Sequence, residues 1–132
     1  MKKVLYFNID DNLDYENSLL SEWGIDDVEL VEVKDKEYKK SFGEYVRDTD
    51  AEGLVVEYDK VTREVMDMSP KLKIVSLQSI GYNNIDIGAA TEHGICVTNI
   101  PGFCADEVAL HTIGFAIDLA RKITYFDRTV QQ

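Results

Sequence analysis

The chain has 132 residues, 45% of them apolar and 30% charged, the proportions of a single folded domain with room for one sizeable core. Acidic residues outnumber basic ones 25 to 14, and the resulting formal charge of −11 repels nucleic-acid phosphates and anionic bilayers. No stretch approaches the roughly 20 apolar residues of a membrane span, and the apolar run behind Met1-Lys2-Lys3 stops at Asn8, too short for a signal peptide, so a cytoplasmic location is expected.

Strand-like runs alternate with helical patterns from end to end. Residues 3–9 read as a first strand. Residues 11–23 read as a helix with Leu13, Leu19, Leu20 and Trp23 on its inner side and Gly24 as its stop. Residues 28–33 alternate apolar and acidic side chains, the pattern of an edge strand. A charged helix over 36–46, carrying Tyr38, Phe42 and Tyr45, leads to a central strand that begins at 53–56. A short helix over 61–68 ends at Ser69-Pro70, and residues 72–77 form the fourth strand. Asp86 is placed to cap a helix that reaches His93 and stops at Gly94. Residues 95–98 make the fifth strand, and a long helix covers about 105–123.

Five strands joined by helices predict right-handed βαβ units and a parallel sheet. Of the doubly wound arrangements the flavodoxin-like order 2-1-3-4-5 fits best, because it puts the alternating second strand on an edge. Ligands of such sheets bind at the carboxyl ends of the strands, here residues 8–10, 57–59, 77–82 and 99–102. Cys96 and Cys104 form no C-x-x-C pair, and His93 and His111 are not at ligand spacing with them. Reduced thiols are therefore expected, and no metal site.

The most informative of these ends is the segment from Ser79 to Asp86. Gly81 lets the backbone approach a ligand without a side chain in the way. The successive N–H groups of Ser79, Ile80, Gly81 and Tyr82 have the makings of a concave anion site, one suited to a carboxylate in an otherwise negative protein. A glycine after a strand reads equally as a plain turn; the context sharpens it. Gly81, Asn84, Ile85 and Asp86 are followed without a gap by Ala89, Ala90, Gly94, Ile95, Val97, Asn99, Pro101 and Gly102, then by Val108, Ala109, His111 and Thr112. This series resembles the D-isomer-specific 2-hydroxyacid dehydrogenases, whose first domain typically reads G-x-G-x-D-N-I-D, A-A-x-x-x-G-I-x-V-x-N-x-P-G and V-A-E-H-T.

The resemblance implies that the Ser79 to Tyr82 loop takes the carboxylate of a small 2-hydroxy or 2-oxo acid on main-chain N–H groups, beside NAD. It implies that Asn99-Ile100-Pro101 leads into a helix passing between two domains, with Asn99, Pro101, His111 and Thr112 at the hinge or facing the cofactor. His111 also reads simply as a packing histidine. Four positions depart from the pattern: Ser79 replaces the usual first glycine, Asn83 the aspartate, and Leu110 the glutamate of V-A-E-H, while Leu77 and Gln78 stand where many members have an arginine.

In relatives the acid/base histidine, its acidic partner and the substrate arginine belong to a nucleotide-binding domain, as does G-x-G-x-x-G, which this sequence lacks. No catalytic residue is therefore assigned to this chain. Residues 1–103 are expected to be the substrate-binding domain and 104–132 an interdomain helix and linker toward a nucleotide-binding domain. From Val108 to Ala120 the last helix is apolar around nearly its whole circumference, so it is expected to be covered by that domain, or by a second copy in a homodimer through residues 104–123. Two other readings remain open. Asp10, Asp11, Asp59 and Ser79 are spaced as in a response-regulator receiver holding Mg²⁺, though the lysine due after strand 5 is missing. Some relatives of the dehydrogenases act instead as NAD-sensing corepressors.

Overall fold

The structure is a computed structural model and describes residues 1–9 and 12–131. The elements run β1 (Lys2–Phe7), α1 (Asp14–Glu22), β2 (Val28–Val33), α2 (Phe42–Thr49), β3 (Gly53–Val56), α3 (Arg63–Asp67), β4 (Ile74–Leu77), α4 (Ile87–His93), β5 (Cys96–Thr98), α5 (Ala105–Arg121) and α6 (Ile123–Val130). All strand pairs are parallel, and the order is β2-β1-β3-β4-β5, the doubly wound α/β arrangement expected from the alternation of elements. The chain divides into two compact units, Met1–Pro101 and Gly102–Gln132.

Hydrophobic periodicity explains the sheet. β3, in the middle, is an unbroken apolar run and is buried along its whole length, whereas edge strand β2 is only partly covered. Leu5, Phe7, Leu54, Val56, Val75 and Leu77 meet Val46 of α2, Met66 of α3, and Ala89 and Ala90 of α4 in one core. Each fully buried aliphatic or aromatic side chain of this kind stabilises the fold by about 1.5–3 kcal/mol relative to exposure. Phe7 anchors the carboxyl end of β1, with ring centroids 4.9 Å from Phe42 and 5.1 Å from Tyr45.

Helix ends follow local chemistry. The Asp86 carboxylate accepts from the Ala89 N–H at 2.9 Å to start α4, and Gly94 ends it in the left-handed region at φ 68°. At α2 the structure departs from the expected 36–46. The helix begins only after Ser41, whose hydroxyl accepts from the Glu44 N–H while the Glu44 carboxylate accepts from the Ser41 N–H. The charged run before it makes a turn, with Tyr38 at φ 50°. In α1, Trp23 stands past the helix as its C-cap and is 65% exposed rather than packed inward. Half-buried Glu16 shares the inner side with Leu13, Leu19 and Leu20.

The amino ends of the strands are closed by exposed ion pairs, Lys2–Asp27, Lys73–Glu52 and Lys71–Asp50, each at 2.6 Å. Pairs in such surroundings contribute about 0–1 kcal/mol apiece. In the second unit the long helix expected over about 105–123 is α5, and a further helix, α6, follows it. Lys122 adopts φ 56°, and the Asp118 carboxylate accepts from the Thr124 N–H and hydroxyl at 2.7 and 2.9 Å, starting α6 afresh. No residue of α5 or α6 is buried. Among the described residues no helix is long and apolar enough to cross a membrane.

Candidate functional site

The loop between β4 and α4 is built from both of its ends. Leu77 is buried in the core, and the Gln78 N–H still donates to Val56 O of the neighbouring strand at 3.0 Å. At the far end Ile85 is buried and its N–H donates to Tyr82 O at 3.1 Å, just before the Asp86 cap. Asn84 locks the loop sideways: its side-chain amide donates to Asp59 O at 2.9 Å and to Glu57 O at 3.3 Å, tying the exit of β3 to the exit of β4. Val61 and Ile85 form a parallel bridge beyond it.

Between these anchors the two kinds of backbone group have different fates. The carbonyl of Ser79 accepts from the Ile100 N–H at 3.1 Å and that of Ile80 from the Asn99 side-chain amide at 2.8 Å. The carbonyl of Gly81 accepts from the Ser79 hydroxyl at 2.8 Å, and that of Tyr82 from the Ile85 N–H. Among the described residues, no protein acceptor takes a hydrogen bond from the N–H groups of Ser79, Ile80, Gly81 or Tyr82. Four consecutive unpaired donors on an exposed loop suit an anion, and backbone amides are the donors that do not depend on a cation. That matters here, since Leu77 lies in the core and Gln78 carries no charge. Gly81 is not in the left-handed region, and a Cβ built on it meets no atom within 4 Å. What the absent side chain leaves is clearance on the open side.

Next to the loop a pocket of about 390 Å³ is lined by Tyr82 and Asn99 together with Ile87, Ala90, Thr91, Ile95, Val97 and Thr98, a volume in the range of small-molecule sites. Of the residues singled out from the sequence, Ser79 with Gly81 and Ile80 with Asn99 are thus joined by hydrogen bonds, and Tyr82 shares the pocket lining with Asn99. Pro101 closes the first unit, exposed. His111 and Thr112 lie on α5 in the second unit. There the His111 ring meets Phe115 edge-on at 4.4 Å, and the Thr112 hydroxyl donates to Val108 O at 2.8 Å. The tethers made by Asn84, and by the side chain of Asn99, were not foreseen. They join residues 19 to 27 positions apart, and only the adjacency of β3, β4 and β5 reveals them.

Asp10 and Asp11 lie outside the described residues. Asp59 accepts from the Tyr38 hydroxyl at 2.8 Å. Burial pushes its carboxyl above the usual range, opposed by that hydrogen bond. Among the described residues no three His, Cys, Asp or Glu side chains are grouped to hold a metal. Both cysteines are free, Cys96 exposed and Cys104 partly so. Nor do the starts of α1 to α5 suit a dinucleotide's pyrophosphate. α1, α2, α3 and α5 each carry an acidic residue in the first turn, and α4 is capped by Asp86. Negative charge there cancels the attraction a helix N-terminus offers to phosphate.

Comparison with known proteins shows the family. Glyoxylate reductase of Thermofilum pendens is 42% identical over 86 residues, covering 65% of this chain and 25% of that protein. The crystal structure of the PH0520 protein from Pyrococcus horikoshii OT3 superposes with a TM-score of 0.70 at 31% identity, over 99% of this chain and 37% of the other. That of the NAD⁺-bound 3-phosphoglycerate dehydrogenase of Entamoeba histolytica gives 0.67 at 27% identity, over 89% of this chain and 38% of the other. The chain spans about a quarter of the length of the curated relatives it matches. Residues 6–129 match the family described as D-isomer specific 2-hydroxyacid dehydrogenase, catalytic domain, and the chain belongs to that family.

Proposed function

We propose that residues 1–103 are the substrate-binding domain of an NAD-linked oxidoreductase acting on 2-hydroxy and 2-oxo acids, and that residues 104–132 are its interdomain helical segment. The observation that carries this reading is the row of unpaired N–H groups from Ser79 to Tyr82. Related proteins named for glyoxylate and for 3-phosphoglycerate share one recognisable feature in their substrates, a carboxylate next to an oxygen-bearing carbon. Amide donors of fixed direction receive such a carboxylate at its two oxygens and leave the neighbouring carbon facing outward for hydride transfer. Asn99 and Pro101 then fix the path out of the site, and His111 and Thr112 stand on the helix toward the nucleotide-binding domain.

NAD and the acid/base residues belong, in this reading, to a nucleotide-binding domain outside these 132 residues. NAD supplies hydride transfer there; the present residues bind and orient the acid. Two measurements test the division. Titrating the labelled chain with glycolate should shift the amide resonances of Ile80, Gly81 and Tyr82 ahead of all others. Mixing the chain with NADH and a panel of 2-oxo acids should give no oxidation above background. Turnover by these residues alone would overturn the placement of the chemistry, and an unmoved loop would overturn the placement of the substrate. The exposed apolar length of α5 is the proposed contact for the nucleotide-binding domain or, when that is not present, for a second copy of the chain.

A further inference from the structure

We infer that Asn99 and Ser79 are positioning residues that aim the loop's amides outward before any ligand arrives. This rests on the reading of the loop as a carboxylate receptor and adds what makes it one. In a trans peptide the C=O of one residue and the N–H of the next point in opposite directions, because the unit is planar; the described chain has no cis bond. Fixing a carbonyl therefore fixes the following amide. The Asn99 side chain holds Ile80 O at 2.8 Å and so directs the Gly81 N–H; the Ser79 hydroxyl holds Gly81 O at 2.8 Å and so directs the Tyr82 N–H. The Ile100 N–H, delivered by the same strand exit as Asn99, holds Ser79 O at 3.1 Å and directs the Ile80 N–H. Three successive carbonyls are thus held, and each fixes the direction of the N–H group that follows it, none of which has a protein acceptor among the described residues.

Packing of the loop's own side chains does not supply this orientation. Gly81 is exposed and has no side chain to bury, and Ile80 and Tyr82 are 41% and 53% exposed, so side-chain burial does not set their peptide planes. An unlatched glycine-containing loop samples many orientations, and a ligand binding to it must supply the ordering entropy. The glycine usual at the position of Ser79 has no hydroxyl. The latch on Gly81 O is therefore particular to the serine found here.

The test is glycolate titration, followed by NMR, of the full chain and of two variants, Asn99→Leu and Ser79→Ala. Both remove a donor without adding charge. Glycolate binding should weaken by about three- to tenfold in N99L and by about two- to threefold in S79A, the range expected for one hydrogen bond. Binding of the neutral analogue glycolamide should change little, and the melting temperature of S79A should stay at that of the parent. A merely structural role would lower stability and affect both ligands alike. Should N99L fold poorly, S79A decides the matter, since it deletes only a hydroxyl from a loop residue. Parent-like glycolate affinity in the folded variants overturns the latch and leaves the receptor standing. No shift at Ile80, Gly81 and Tyr82 in the parent overturns the receptor, and the latch falls with it.

Discussion

His93 closes α4 with both ring nitrogens facing acceptors. Nδ1 is 2.8 Å from Ala89 O, and Nε2 is 2.8 Å from the Asp67 carboxylate. Two acceptors call for two N–H donors, which only the imidazolium has. The Ala89 carbonyl, and then the Asp67 hydrogen bond, raise its pKa above the ordinary histidine value, while partial burial and nearby Arg63 oppose. Arg63 is itself engaged by Glu92 at 2.7 Å. With the folded value raised, the stabilisation is complete below the unfolded value of about 6.5 and is lost as pH rises through the folded one. The urea midpoint of the parent should therefore fall as pH rises from below the ordinary histidine value through the raised one, and His93→Gln should flatten that fall. An equally steep decline in the variant would show that His93 is not its source. At the same scale, Phe7 is 1% exposed among Phe42, Tyr45 and Tyr38. Phe7→Ala should cost about 3–5 kcal/mol in equilibrium denaturation, much of the 5–15 kcal/mol that domains of this size possess.

Elements whose limits are set by near neighbours in the sequence could be read directly. Asp86 and Gly94 bracket α4 because a cap reaches only three residues and a left-handed stop needs only itself. The run from Gly53 to Val56 shows a central strand because burial on both faces leaves no polar position. α2 was placed too early for a local reason that was also visible. The charged residues before Phe42 have helical propensity, but Asp35 gathers the Glu37 and Lys39 N–H groups into a turn that ends at Tyr38 with φ 50°, and the Ser41–Glu44 box starts the helix afresh. Ser41→Ala should cost about 1 kcal/mol, seen as a lowered melting temperature. The break at Lys122 was hidden, since no glycine or proline marks it and its support comes from Asp118, one turn earlier, through Thr124. The loop between β4 and α4 sits between these cases. Its residues were legible one by one, but the direction of its amides depends on Asn99 and Ile100, which the sheet brings near and the sequence does not.

At the scale of the whole molecule, the proposed receptor lies in the first unit, and the second unit exposes a large apolar surface. Leu110, Phe115 and Leu119 on α5 are 69%, 60% and 79% exposed. Apolar surface of this extent is costly in water, so sedimentation velocity should reveal self-association that grows with concentration. Leu110→Lys together with Phe115→Lys should return the chain to monomer; a parent monomeric throughout would remove the second copy as a covering partner. The parallel sheet has one more consequence. β1 begins at Lys2 behind an exposed Met1, whereas the loop leaves the opposite, carboxyl end of β4. Four strand residues at about 3.3 Å each put roughly 13 Å of sheet between those two ends. A chip linker or fluorophore attached at Met1 is thereby held away from the amides of Ile80, Gly81 and Tyr82, and an immobilised chain presents them to the flowing solution.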